Sequence, residues 1–335
     1  MNASLLSSHR RELMGFAALW IAFLHASMSF DDPLLSAFKA TGHCGVEIFL
    51  FLSSLGMYYA WQKGERGWSF LARRMIRLLP AFLIVSVFRA WYLHYTLPKA
   101  VLMLTTLNFW LSYDRSTWYI SAAVALYAVT PAYLSWLTRG SEERKTWAVT
   151  ASCALIGLLF HDTQWMIFTA SAPVYFLGFL AGKYAYEKRP ISGMQKWIGL
   201  LLMAAGFAAL YIAHQLDVNE NLLWGWGMFW YPSLLLTWPL CAGLAMLADA
   251  MPALLRRIVQ DPLQKLGEVS LEFYLLHEVS IVFWQNIFHV AERYNYNGII
   301  FNIMVLFLTY RIAVLLHRIL KPLQESMLRK VSREG

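Results

Sequence analysis

Apolar residues run along this chain in stretches of roughly 18 or more, divided by short polar segments, from one end to the other. A helical stretch of that length crosses a bilayer at about 1.5 Å per residue. The pattern predicts ten spans, at about 13–30, 43–62, 78–95, 117–137, 146–160, 164–182, 197–214, 228–248, 269–289 and 298–318. The segment 99–112, KAVLMLTTLNFWLS, is short for a span and reads as interfacial or re-entrant; counting it as a span gives eleven. The expected fold class is an all-α polytopic membrane protein, a bundle of about ten transmembrane helices. Residues 1–335 are expected to form a single membrane domain with no separate soluble domain.

Composition agrees with this reading. The chain is 59% hydrophobic and 14% charged, where soluble domains carry about 25% charged residues. Its 15 Trp, 17 Tyr and 21 Phe suit rings that sit at membrane interfaces. Cys44, Cys153 and Cys241 are odd in number and widely spaced, so they match no zinc or disulfide pattern and read as small apolar fillers. No metal site is expected. The first span has the basic start and apolar stretch of a signal peptide, but it lacks a clear cleavage site and nine spans follow, so it is expected to be retained.

The net charge of +8 raises the question of a nucleic-acid partner, and the distribution of charge answers it. Of the 28 Lys and Arg, 22 fall on one side of the predicted spans, with both termini, and four on the other: Lys39, Lys99, Arg115 and Arg293. Arg89 and Arg311 lie within spans. By the positive-inside rule both termini are cytoplasmic. The basic excess is therefore topological, and no nucleic-acid partner is expected.

Ionisable residues inside membrane spans mark functional sites by default. His25 lies in the first span, GFAALWIAFLHASMSF, roughly 20 Å from its cytoplasmic end. Glu47 lies near the outer end of the second, so the two side chains are expected at similar depth on neighbouring helices. A carboxylate beside an imidazole raises its basicity and sets its tautomer, as a general base requires; the same pair could also only join two helices. Arg73, Arg74 and Arg77 crowd into one turn before the third span, where Pro80 is expected to interrupt the helix. Three guanidiniums suit a polyphosphate, or equally a contact with anionic lipid headgroups. Trp118 and Tyr119 open the fourth span, as an aromatic belt or a platform for a sugar ring, with Tyr127 deeper and Pro131 as a kink. Ser270, Tyr274 and His277 share one stripe of the ninth span with Glu278 one step round. That stripe is expected to face the interior, lining a path or linking helices. Arg89 and Arg311 are each expected to neutralise a carboxylate or a ligand.

Five segments of the chain, RRELMGFAALWIAFLHA, GHCGVEIFLFLSSLGMYY, SFLARRMIRLLPAF, TWYISAAVALYAVTP and VSLEFYLLHEVSI, resemble in order and spacing the integral-membrane acyltransferase 3 family, whose members O-acylate cell-surface sugars. The resemblance covers essentially the whole chain. It implies acetyl-CoA or another acyl-CoA as a cytoplasmic donor, no permanently bound cofactor, and a hydroxyl of a carbohydrate or glycolipid as acceptor. It implies a multi-pass protein of the cell (inner or plasma) membrane of a bacterium, among membrane lipids. His25 matches the family's essential histidine, as general base or acyl relay; Glu47 is expected beside it from depth alone, as a catalytic partner. Arg74 and Arg77 match the arginines that members use near the donor, and Arg73 is expected to join them in donor binding because it shares their turn. Trp118, Tyr119, Tyr127, Tyr274 and His277 are expected to line the acceptor site or a channel. Two positions depart from the family: Met14 stands where an arginine is common, with Arg10 or Arg11 as substitutes from the helix end, and Ser54 stands where a glycine is common. Two other functions compete: a flippase or exporter of a glycolipid or polysaccharide, and a membrane module serving a separate partner. A transporter is expected to show internal repeats, and none is visible.

Overall fold

The computed structural model describes residues 2–112, 114–216, 222–288 and 296–334. Among them a helix occupies each of the ten places where apolar length predicts one. These are α1 (Arg10–His25), α2 (Cys44–Gln62), α3 (Gly67–Tyr92), α4 (Trp118–Leu137), α5 (Glu142–Gly157), α6 (Met166–Tyr186), α7 (Gly193–Leu216), α8 (Ser233–Asp249), α9 (Ser270–Phe288) and α10 (Tyr296–Glu334). Among the described residues, five helical segments can each cross a membrane by length and composition: Pro33–Gln62, Trp118–Leu137, Met166–Tyr186, Gly193–Leu216 and Gly298–Ser332. A sixth candidate, Ser233–Asp249 with Ala253–Glu268, is bent by 115°. The protein is all-helical, with several membrane-crossing candidates. Arg293 and the end of the predicted ninth span at 289 lie outside the described residues.

The segment 99–112 forms two short helices, Leu97–Leu104 and Asn108–Leu111, divided by Thr106 at positive φ. Neither is long enough to cross a bilayer. Pro80 does not interrupt its helix. α3 runs through it to Tyr92, because neighbouring helices in a membrane bundle hold a proline-containing segment together. α1 stops at His25, short of the predicted 30. There Ala26 turns extended (φ −59°, ψ 136°), and tertiary hydrogen bonds replace the next helical turn. The Ser27 N–H donates to Asn302 Oδ1 of α10 at 2.9 Å, and the Gln285 amide of α9 donates to the Ser27 hydroxyl. The imidazole of His25 therefore sits on the last residue of α1, with the chain beyond it fastened to two other helices.

α2 and α6 form the centre. In their segments 83% of the most apolar 18-residue window is buried, against 17% in α7 and 28% in α10, whose apolar faces are left for lipid. Small residues let the central backbones touch. A Cβ at Gly178 of α6 would stand 2.3 Å from Phe51 O and 2.0 Å from Ser54 Oγ of α2. Ser54, the departure from glycine, is thus accommodated by the glycine opposite, and its hydroxyl donates to Phe51 O at 3.0 Å.

The short helix Asp261–Glu268 lies across the start of α1 just as closely. A Cβ at Gly15 would stand 2.0 Å from Leu263 O, which is backbone and cannot swing aside. Gly15→Ala is expected to cost about 1–3 kcal/mol through overpacking. The check is a lower melting temperature of the detergent-purified protein; an unchanged one would mean that this crossing is looser than its geometry indicates.

Candidate active site

Two cavities lie at opposite ends of α1. From Arg10 to His25 the helix rises about 22 Å. The cavity at the far end, of about 330 Å³, is lined by His25 on the last turn of α1 and by Tyr274, His277 and Glu278 on α9. Arg89 of α3 and Trp118 of α4 complete it, with Arg115, Trp224 and Trp230 from the connecting segments. The cavity at the near end, of about 180 Å³, is lined by Arg10 and Met14 of α1, Ser53 and Gly56 of α2, Arg74 and Arg77 of α3, and Tyr119 and Tyr127 of α4. A larger vestibule of about 860 Å³ shares Arg10, Met14 and Gly56 with it and adds Arg11, Lys63, His317 and Lys321. One aromatic group divides the arginine cavity from the histidine cavity. The Tyr119 and Tyr274 rings are 5.2 Å apart, and Phe49 packs against both, at 5.8 and 5.9 Å.

The expected pairing of His25 with Glu47 is absent. Glu47 is fully buried, and its Oε1 accepts from Ser171 Oγ of α6 at 2.8 Å, while Oε2 has no hydrogen-bond partner. They differ in depth as well as in direction: Gly45 packs on Ala17 and Ile21, and Gly42 on Trp20 and Leu24, so Glu47 lies about two helical turns deeper than His25, and it turns toward α6 while His25 turns toward α9. The ring beside His25 is His277, with centroids 5.0 Å apart. The carboxylate that lines the same cavity is Glu278, held by Arg89 Nη1 at 2.8 Å. Arg89 thus neutralises an intramembrane carboxylate, as its position in a span predicts. Arg311 makes no ion pair among the described residues and is exposed.

The three donor arginines also separate. Arg74 and Arg77 face the arginine cavity, with Arg74 Nη2 3.3 Å from Glu65 Oε2. Arg73 does not line it: its Nη2 donates to Ser332 Oγ of α10 at 3.1 Å, and its Nη1 stands 3.9 Å from Oε1 of the same Glu65. Its place in the cavity is filled by Arg10, one turn before Met14 on the same face of α1. Arg10 reaches in because Gly56 leaves room. A Cβ at Gly56 would lie 3.3 Å from the guanidinium carbon, and Arg10 Nε donates to Leu52 O at 3.2 Å. Arg11, the other substitute suggested by the sequence, lies at the surface, 2.9 Å from Glu268.

The aromatic candidates divide between the cavities. Trp118, Tyr274 and His277 line the histidine cavity, whereas Tyr119 and Tyr127 line the arginine cavity. The predicted stripe on α9 faces inward: Ser270 and His277 are each 4% exposed, and Tyr274 packs on Tyr119. Sequence reading missed His43, Arg115, Trp224 and Trp230. His43 Nδ1 and Nε2 face the carbonyls of Ala40 at 2.9 Å and Phe229 at 2.5 Å. The pairing of Arg89 with Glu278 was also missed, although both were visible as charges inside predicted spans. Among the described residues no group of three or more His, Cys, Asp or Glu could hold a metal ion.

This is an all-helical membrane protein with a cationic cavity and a histidine cavity in line. The family profile described as an acyltransferase domain, Acyl_transf_3, matches residues 13–318, nearly the whole chain. The chain belongs to the acyltransferase 3 family, and membrane-bound acyl transfer is the class of activity that membership supports. No curated protein and no solved structure matches the chain.

Proposed function

We propose that the protein moves an acyl group, of which acetyl is the simplest, from a cytoplasmic acyl-CoA to a hydroxyl of an envelope carbohydrate or glycolipid. The observation that carries this reading is the pair of cavities at the two ends of α1, divided by one contact between Tyr119 and Tyr274. Coenzyme A is a polyphosphate at one end and a thioester at the other, joined by a narrow flexible arm. Arg10, Arg74 and Arg77 bind its phosphates, because guanidinium forks match phosphate oxygens in charge and geometry. The vestibule with Lys63 and Lys321 takes the remainder of the nucleotide. The arm passes the Tyr119–Tyr274 contact and brings the thioester to His25. From the other side the acceptor stacks a sugar face on Trp118 or Trp224, as apolar sugar faces do on aromatic rings. His25 then acts as general base or as acyl relay.

In this reading the chain sits in a bacterial inner membrane with the arginine cavity and both termini on the cytoplasmic side, in keeping with the 22 cationic side chains counted there. The test uses purified protein in nanodiscs, labelled acetyl-CoA and a panel of carbohydrate acceptors. Acceptor-dependent release of free coenzyme A with label on the sugar is expected. Acetyl-CoA left intact with every acceptor, while the protein remains folded, would overturn the reading in favour of export.

A further inference from the structure

The two nitrogens of His277 have unlike surroundings. Nδ1 lies against the backbone carbonyl of Tyr274, one turn back on α9. A carbonyl only accepts, so Nδ1 carries the proton of the neutral ring and Nε2 is left with its lone pair. That Nε2 is buried and has no hydrogen-bond partner, although His277 lines the histidine cavity. A buried acceptor left unmet calls for an explanation, and on a cavity wall a hydroxyl brought in by a substrate supplies one.

The other groups of the cavity narrow its role. Glu278 is held by Arg89 at 2.8 Å. Both nitrogens of His43 face backbone carbonyls. Arg115 only donates, and the Tyr274 hydroxyl is a poor base at neutral pH. Two open lone-pair bases remain among the described residues, His25 and His277, with ring centroids 5.0 Å apart. Only His277 has its tautomer set by a backbone bond.

We infer that His277 Nε2 is the base that takes the proton of the acceptor hydroxyl, which leaves His25 as the acyl relay. The inference rests on the acyltransferase reading and chooses between its two roles for His25. A nitrogen lone pair of His25 attacks the thioester carbonyl. The C–N bond forms, the C–S bond breaks, and coenzyme A leaves as a thiolate. The acceptor oxygen then attacks the acyl-imidazolium. The C–O bond forms, the C–N bond breaks with its electron pair returning to His25, and the hydroxyl proton passes to His277 Nε2. His277 finally returns that proton to the thiolate, so the net products are the ester and free coenzyme A.

The decisive variant is His277→Asn, whose side-chain amide can still donate to Tyr274 O but has no basic nitrogen in place of Nε2. In nanodiscs with labelled acetyl-CoA, transfer to the acceptor is expected to fall by about 100-fold or more. Melting temperature and coenzyme A affinity are expected to stay as in the wild type. Without acceptor, the variant is expected to release a stoichiometric burst of coenzyme A and to retain label on the peptide that contains His25, read by rapid quench and mass spectrometry. Transfer within threefold of the wild type would overturn the inference, and so would loss of the burst together with transfer. If His277→Asn does not fold, His277→Gln, which puts a non-basic amide near the Nε2 position, decides by the same readings. A wild type that leaves acetyl-CoA untouched with every acceptor refutes the acyltransferase reading itself, which is a different result from either of these.

Discussion

His25→Ala is expected to lower acyl transfer by about 10²–10⁴-fold, and by more where the group is a covalent relay. The protein should still insert, melt near the wild-type temperature and bind coenzyme A. The stability part of this expectation comes from the place of the residue: His25 ends α1 at a cavity wall and makes no hydrogen bond among the described residues. Truncating it removes an imidazole from a cavity and unmakes no helix contact of the kind seen at Gly15. Glu47→Gln separates the roles further. Glu47 is bonded to Ser171 and does not line the histidine cavity, so its amide variant is expected to alter melting more than turnover. The measurement is labelled-acetyl transfer in nanodiscs with thermal melting in parallel. Near-normal turnover by folded His25→Ala protein would remove His25 from the reaction. A Glu47→Gln protein that melts normally but turns over as slowly as His25→Ala would return Glu47 to it.

The second large effect is expected on donor binding. Alanine at Arg10, Arg74 or Arg77 should each weaken coenzyme A binding by about 1.5–3 kcal/mol, the worth of a charged hydrogen bond, or roughly tenfold to a hundredfold in Kd. Arg73→Ala should change it little, because Arg73 is turned to Ser332 and does not line the cavity. Because the three guanidiniums share one cavity, their effects should not add, and the triple variant should lose less than the sum. Calorimetric titration of coenzyme A into each nanodisc-held variant decides. If Arg73→Ala proves as harmful as Arg74→Ala, the donor lies along the outer face of α3. If none of the four matters, the cluster serves only as a contact for anionic lipid headgroups.

Glu47 and Arg10 illustrate how far the candidate site was legible. Glu47 was recognisable as a carboxylate inside an apolar run, but residue count put it level with His25, whereas the packing of Gly42 and Gly45 on α1 sets it about two turns away. Its partner did not follow either, because a helix is free to slide and to turn about its axis until its neighbours pack. Arg10 stands one turn from Met14, so the sequence could offer it as a substitute for the missing arginine. It could offer Arg11 equally well, and only the space left by Gly56 against the surface pairing of Arg11 with Glu268 separates them.

The sequence by itself determined the helical class, the positions of the ten long helices and the family, and it marked His25, Arg74 and Arg77. These are properties of single segments. Whether a stretch is apolar enough to be a membrane helix is summed residue by residue, and a motif is read along the chain. The tertiary structure alone decided that α1 stops at His25, that Arg73 leaves the donor cluster while Arg10 enters it, and that His277 rather than Glu47 stands beside His25. Each of these depends on the rotation and close approach of helices far apart in the chain. Contacts such as Gly178 on Phe51 set that rotation by shape, and hydropathy carries no record of it.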